Sequence, residues 1–163
     1  MHSMLPARFL KKAALVGICF AITQAMCTSF KKELFTATHN FAASGGDTFK
    51  MALFTSSASL DATTTAYSGT NEVPNGSGYT TGGFTMTNVD PSTSGTTAMA
   101  TFSANPSWTS ASFTCRGAQL YNSSKSNKSV AIFDFGGDQT VSAGTFTINL
   151  PAVGPTTALL RLA

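Results

Sequence analysis

Residues 113–150 read FTCRGAQLYNSSKSNKSVAIFDFGGDQTVSAGTFTINL, and this stretch decides the fold. Two apolar runs, 117–121 and 130–135, flank a polar segment rich in Ser, Asn and Lys, which predicts two antiparallel strands joined by a flexible loop. A Gly136-Gly137-Asp138 turn follows. After it, apolar and polar side chains alternate over 145–150 and predict a third strand. Such alternation is typical of an antiparallel sheet with one solvent-exposed face and one face packed on a second sheet.

The rest of the chain continues this all-β pattern. Further strands are predicted at 48–55, 84–89, 97–104, 108–113 and 158–163, separated by Gly, Pro, Asn and Ser turns. A short helix is predicted from about residue 30 to 38, capped by Thr28 or Ser29. About eight short strands with this spacing indicate an antiparallel β-sandwich or jelly-roll-like fold with a short N-terminal helix.

Residues 56–83 form a long polar passage, rich in Thr, Ser, Gly and Asn and poor in apolar anchors. A loop of this length inside a compact domain is usually functional or makes contacts elsewhere. We therefore expect binding to involve this loop and the strand edges.

The composition argues against an anionic partner. Only 10% of the 163 residues are charged, against roughly 25% in typical soluble domains. Three of the ten basic residues, Arg8, Lys11 and Lys12, lie in the first 25 positions, which leaves seven basic and seven acidic residues in the body. A neutral body offers no basic patch for phosphates, so no nucleic-acid partner is predicted.

Residues 1–25 have two interpretations. The basic residues precede an apolar run over 13–22 and the small residues of Thr23-Gln24-Ala25, which together make the three parts of a secretory signal. The run is too short to span a bilayer, so no membrane partner is predicted for the mature form. Alternatively, the chain starts at Met26 and residues 1–25 are an upstream extension. Either way, residues 26–163 are predicted to form a single β-sandwich domain.

The three cysteines, Cys19, Cys27 and Cys115, match neither a metal knuckle nor a redox pair. If residues 1–25 are absent from the working protein, Cys27 and Cys115 remain. They form either one disulfide in an oxidising compartment or, as we prefer, two free thiols.

Candidate catalytic and ligand-binding residues are few. His39 is the one histidine of residues 26–163, and no Gly-x-Ser-x-Gly motif accompanies it. A position at the helix end, where it bonds the terminal carbonyls, is therefore favoured over a catalytic triad. Asp134 and Asp138 flank a Gly-Gly turn but lack the oxygen-ligand density of a calcium loop. Residues 76–82 resemble a dinucleotide-binding fingerprint, but the last glycine is one residue too far along and no βαβ unit surrounds it, so a loop is predicted. The sequence thus predicts no enzyme, no catalytic residues, no cofactor and no metal site.

Two residues have predicted structural roles. Arg116, a charge between apolar neighbours, is expected to pair with Asp134 across the hairpin. Trp108 alternates with Ala111 and Phe113 and is expected to fill the core between the sheets.

Several segments carry a resemblance to a known family. They are RGAQLYNSSKSNK at 116–128, AIFDFGGD at 131–138, CTSFKKEL at 27–34, HNF at 39–41, DTFK at 47–50 and LFTSSA at 53–58. In this order they resemble a family of small tailed-phage virion proteins, over essentially residues 26–163. The resemblance implies a structural component of a phage particle, most similar to capsid-decorating or cement proteins, and carries over no catalytic residues. Related chains begin near the Cys-Thr-Ser-Phe segment, which favours Met26 as the start.

Two functions follow as hypotheses. The first is a non-enzymatic virion protein that binds the major capsid protein or other virion proteins in multiple symmetric copies. The second is a tail-associated or secreted adhesin, periplasmic or extracellular if residues 1–25 act as a signal. It would bind glycans by stacking them on exposed rings. The available rings are Trp108, Tyr67, Tyr79 and Tyr121.

Overall fold

The computed structural model describes residues 21–163, which form eight strands and one helix. The elements in chain order are β1 (Ala25–Met26), α1 (Thr28–Leu34), β2 (Phe49–Phe54), β3 (Phe84–Thr85), β4 (Ser92–Ser94), β5 (Thr97–Ala100), β6 (Ser107–Asn122), β7 (Lys128–Thr147) and β8 (Leu160–Leu162). One sheet has the order β1-β7-β6-β2-β3 and the other β4-β5-β8, with every pairing antiparallel. The predicted all-β, sandwich-like class is confirmed.

The β6–β7 hairpin consists of the two longest strands and connects the other strands of the larger sheet. The predicted pairing of residues 117–121 with 130–135 is confirmed, but both strands are much longer than expected. The predicted turn at Gly136-Gly137-Asp138 and the separate third strand at 145–150 are wrong. Gly117 pairs with Asp134 and Cys115 with Gln139, so β7 bulges outward at this point and then continues to Thr147.

The predicted strand at 108–113 is likewise not separate, because it is the first part of β6. The strand predicted at 48–55 is confirmed as β2, and those at 97–104 and 158–163 are shortened to β5 and β8. The strand predicted at 84–89 is shortened to the two residues of β3. The short strands β1 and β4 were not predicted.

The helix begins and ends earlier than predicted. It spans Thr28–Leu34, with Cys27 in the capping position and no side-chain hydrogen bond there, so the predicted cap by Thr28 or Ser29 is wrong. The Thr36 hydroxyl donates to the Glu33 carbonyl, and Ala37 adopts a positive φ of 51°. Both features end the helix before residue 38.

Aromatic side chains fill the space between the two layers. Phe41 stacks on Phe49 of β2 with ring centres 4.3 Å apart, and Phe102, which follows β5, lies 5.7 Å from Phe49. Trp108 is only 6% exposed, so its predicted burial in the core is confirmed. Its predicted place between the two sheets is not, because the rings 6.0 Å from it belong to the 56–83 loop (Tyr79) and to β7 of the larger sheet (Phe146).

Residues 21–26, which we call the N-terminal strap, close one side of the larger sheet. Ile22 is 6% exposed and lies over Gly117, where an added Cβ would come within 2.8 Å of its side chain. Thr23 N donates to Leu60 O at 2.8 Å, and Leu60 N donates to Ala21 O at 3.1 Å. The strap therefore belongs to the folded unit, although it lies largely upstream of the predicted boundary at residue 26. Residues 1–20, with most of the predicted leader and Cys19, lie outside the described residues.

Cys27 and Cys115 are both buried free thiols. Cys27 N donates to Val130 O, whereas Cys115 pairs with Gln139. Along β6, Cys115 lies five positions from Leu120, which pairs with Ala131 next to Val130. Five positions correspond to about 17 Å of strand, far beyond disulfide reach. The structure therefore agrees with the preferred interpretation, in which Cys27 and Cys115 are free thiols.

Candidate functional site

Residues 56–83, the long loop, have no regular secondary structure beyond isolated bridges. They surround a hollow of about 370 Å³ on the surface of the protein. Small side chains, many of them hydroxylic, line this hollow: Ala58, Ser59, Leu60, Thr64, Ala66, Ser68, Thr70 and Asn71. We call it the hydroxyl hollow.

A buried carboxylate holds the long loop in place. Glu72 is 7% exposed, and its Oε2 accepts a 2.6 Å hydrogen bond from the Tyr67 hydroxyl. Its Oε1 accepts hydrogen bonds from the Tyr79 hydroxyl at 2.6 Å and from Gly82 N at 2.7 Å. Because a buried charge is costly unless it is hydrogen-bonded, these three donors make the buried Glu72 tolerable and tie three points of the loop together.

The tyrosines around Glu72 remain protonated donors. Burial, followed by the hydrogen bond to Glu72, raises the pKa of Tyr67 and Tyr79 far above the ordinary value of 10.0. Burial also raises the pKa of Tyr121 to about 12. Tyr121 stacks on Tyr67 with ring centres 4.3 Å apart and donates to Gly82 O at 2.8 Å. The cluster is thus closed and fully hydrogen-bonded, which fits a structural tether better than a catalytic acid or base.

The four rings proposed for sugar stacking do not share an exposed surface. Tyr79 and Tyr121 are each 2% exposed, and Trp108 lies in the core. Tyr67 is half-buried under Tyr121. The stacking surface that the adhesin hypothesis requires is therefore not formed by these residues, because the fold uses their rings to pack the long loop onto the larger sheet.

The side chain of His39 is fully buried, and both of its ring nitrogens have partners. Nε2 lies 2.8 Å from Glu33 Oε2, and Nδ1 lies 3.0 Å from Asn122 Nδ2. Asn122 Oδ1 accepts from Ser124 N, so Asn122 Nδ2 is the donor to His39 and the proton sits on His39 Nε2. The predicted bonding of His39 to helix-end carbonyls is wrong, because its partners are side chains.

The His39 network extends to two lysines. Asn122 Nδ2 also donates to Asp47 Oδ2 at 2.8 Å, and Lys125 lies 3.4 Å from the other oxygen of that carboxylate. At the opposite end, the Lys128 ammonium donates to Glu33 Oε1. The chain of contacts joins α1, the start of β2 and the tip of the β6–β7 hairpin.

The carboxylates of this network have lowered pKa values. Burial alone would raise the pKa of Glu33, but hydrogen bonds from Lys128 and His39 outweigh it and hold the pKa below the ordinary 4.5. For Asp47, burial is likewise outweighed by hydrogen bonds, the largest from the Asn40 N–H, and the pKa lies below the ordinary 3.8. Both groups are ionised at neutral pH.

This arrangement predicts an acid-sensitive fold. A carboxyl group with a lowered folded pKa stabilises the fold above its unfolded pKa, and this stabilisation is lost as the pH falls through the folded pKa. We therefore expect the melting temperature to fall as the pH drops below 4.5 and on through the folded values of Glu33 and Asp47. Thermal melts over a pH series will show a shallower decline for Asp47→Asn, whereas Asp138→Asn, outside the network, will follow the wild type. Equal slopes for Asp47→Asn and wild type would contradict this account.

The predicted Arg116–Asp134 pair is confirmed, with Arg116 Nε 3.2 Å from Asp134 Oδ1. Arg116 Nη1 also lies 3.9 Å from Asp138, so the arginine spans the bulge in β7. The hydrogen bond from Gly136 N, together with Arg116, lowers the pKa of Asp134. Within residues 21–163, no group of three or more His, Cys, Asp or Glu side chains is placed to hold a metal ion.

Sequence reasoning missed an apolar groove of about 180 Å³ between α1 and the smaller sheet. Beside it, Phe35 is 93% exposed, although it directly follows α1. The groove is lined by Met26, Phe30, Leu34, Phe41, Pro91, Ala98, Met99, Ala100, Leu160, Arg161 and Leu162. The one available signal was the Leu34-Phe35 pair, which places apolar side chains on two sides of a helix too short to bury both.

Comparisons with protein-family models, curated proteins and solved structures return no match to this chain. In the described part of the chain, no helix is long and apolar enough to cross a membrane.

Proposed function

We propose that this protein is a non-enzymatic structural component of a phage virion that decorates the capsid surface. The carrying observation is the long loop, an irregular surface segment held in one conformation by the buried Glu72. The sequence resemblance to small tailed-phage virion proteins supports the same role. In this role, multiple symmetric copies bind the major capsid protein or another virion protein through the outer surface of the loop.

The chemistry of the loop suits binding to another protein. No Lys or Arg occurs between Lys50 and Arg116, and within the long loop the acidic residues are Asp61 and the buried Glu72. Asp61 is held by the Thr63 hydroxyl and N–H, both at 2.7 Å. The centres of protein interfaces are depleted of charge, and an ordered loop loses little conformational entropy on binding. The loop therefore presents a preorganised hydrogen-bonding surface on which Asp61 is the one charged side chain that is not buried.

A co-sedimentation assay tests the capsid role. Full-length protein mixed with capsids that lack it should bind at a fixed ratio per capsomer and raise the resistance of the capsid to heat. Ser59→Glu places a charge in the hydroxyl hollow and should weaken binding by at least about tenfold, a loss usual for a charge left without a partner in an interface. The matched control, Ser142→Glu, places the same charge on exposed β7 and should bind like the wild type.

Absence of binding to capsids would refute the decoration role, and equal binding by Ser59→Glu would exclude the long loop as the contact surface.

A second candidate, a tail-associated or secreted glycan-binding adhesin, is supported by the hydroxyl hollow alone. Ser59, Thr64, Ser68 and Thr70 surround a concave space of about 370 Å³, a size typical of small-ligand sites. Specific binding on a glycan array, lost in Ser59→Glu and retained in Ser142→Glu, together with no capsid binding, would favour this function over decoration.

A further inference from the structure

The end of α1 places an exposed aromatic side chain beside an apolar groove. Phe35 is 93% exposed, while the next most exposed large apolar residues among residues 21–163, Val153 and Leu162, are 54% and 52% exposed. Leu34, its neighbour in sequence, lines the groove between α1 and the smaller sheet. The end of α1 thus carries a side chain that lines the groove and, next to it in sequence, an exposed ring that is not part of the groove lining.

The groove has the size and lining to accept a phenyl ring. Its volume is about 180 Å³, and Phe30, Phe41 and Met99 are among its walls. For comparison, an apolar cavity of about 150 Å³ in another protein binds benzene. A phenylalanine side chain entering this groove would exchange contact with water for contact with other apolar side chains.

We propose that two copies of this chain pair about a two-fold axis, each inserting Phe35 into the groove of the other. Two-fold interfaces are formed by one patch that is complementary to itself, and a ring next to a groove that fits it meets that requirement. This pairing goes beyond the proposed function, because the hydroxyl hollow and the groove share no lining residue.

One acidic residue beside the groove, Asp90, is opposite in charge to Lys31 beside Phe35, whereas Arg161 in the groove has the same sign as Lys31. Lys31 is exposed and lies four residues before Phe35, on the same side of the helical turn. Asp90 is exposed and directly precedes Pro91, which lines the groove. When Phe35 enters the groove, Lys31 therefore approaches Asp90 of the partner subunit. Arg161, the cation of the groove itself, donates to Pro155 O at 3.4 Å.

The expected contact area indicates a weak dimer. Two buried phenylalanine rings contribute about 300–500 Å², whereas standard interfaces bury roughly 1,200–2,000 Å². The two rings are thus the main anchors. The dimer should form at high protein concentration, such as copies reach when they are crowded on one particle.

Sedimentation velocity of the full-length protein over a concentration series tests the pairing. The wild type should shift from monomer to dimer as concentration rises, and Phe35→Ser should weaken the dimer by at least about 100-fold, as expected when two anchor side chains are lost. Its melting temperature should not change, because the ring is exposed in the monomer. Val153→Ser, the matched control at another exposed apolar residue, should dimerise like the wild type.

Ala98→Phe tests the groove without disturbing the core, because Ala98 is exposed on β5 and its new ring would fill the groove from within. This variant alone should remain monomeric. Mixed with Phe35→Ser it should form some heterodimer, since one intact ring then meets one intact groove. A wild type that stays monomeric throughout, a Phe35→Ser protein that dimerises normally, or a mixture without heterodimer would each overturn the proposal. Capsid co-sedimentation of Phe35→Ser reports on the proposed function separately.

Discussion

A Glu72→Ala protein should lose roughly 3–5 kcal/mol of its free energy of unfolding, because three buried donors lose their acceptor at once. The donors are the hydroxyls of Tyr67 and Tyr79 and the Gly82 N–H. Urea denaturation measures the loss, with the fluorescence of the single tryptophan, Trp108, as the probe, since it lies 6.0 Å from Tyr79. If the long loop is the capsid contact, the same variant should also lose capsid affinity.

Two variants serve as controls for Glu72→Ala. Glu72→Gln keeps the shape and one carbonyl acceptor, so its loss of stability should be smaller. Asp61→Ala removes a carboxylate of the same loop that makes only local bonds, from the N–H and the hydroxyl of Thr63, and should cost less than about 1 kcal/mol. A Glu72→Ala protein as stable as Asp61→Ala would show that the buried carboxylate does not hold the loop.

Removing residues 1–25 should destabilise the domain by about 2–4 kcal/mol relative to the full chain, mainly through the lost burial of Ile22. The cut also removes the backbone hydrogen bonds between the N-terminal strap and Leu60. Urea denaturation of the two proteins under identical conditions measures the difference. A protein that begins at Met26 would leave Gly117 uncovered on the larger sheet.

Two point variants in the full chain separate the contribution of the N-terminal strap to stability from that of the residues before it. Ile22→Ala should reproduce most of the loss, whereas Gln24→Ala, at an exposed neighbouring position, should stay within about 0.5 kcal/mol of the wild type. Equal stabilities of the full chain and the protein beginning at Met26 would mean that the strap contributes nothing to the fold.

The hairpin was predictable from sequence, but the length of its strands was not. The apolar run that begins at Val130 and the polar loop before it are local signals of strand and turn. Gly136-Gly137-Asp138 carries an equally strong local turn signal. The structure instead makes it a bulge, because the pairing with β6 resumes beyond the glycines at Gln139, a long-range contact that no local signal contains.

The candidate site was predictable only as a location. The polar composition of residues 56–83 indicated a functional loop, but nothing local marks Glu72 as buried. Its partners Tyr67 and Tyr79 lie five and seven residues away in a segment without regular secondary structure, and tertiary packing brings all three together. The strap was missed for the same reason, since Ile22 contacts Gly117, which is far away in sequence. In addition, the apolar run predicted at 13–22 includes Ile22, so nothing local separates it from the leader.

The bulge in β7 has a further consequence for aggregation. Beyond its short pairing with β1, the outer edge of β7 has no strand partner among residues 21–163. A long straight edge of this kind invites the growth of intermolecular β-sheet and aggregation. Gly136 and Ala143 both have positive φ, and the pairing register shifts near each of them. These irregularities break the even spacing of amide and carbonyl groups along the edge, so neighbouring copies find no continuous template for fibre formation.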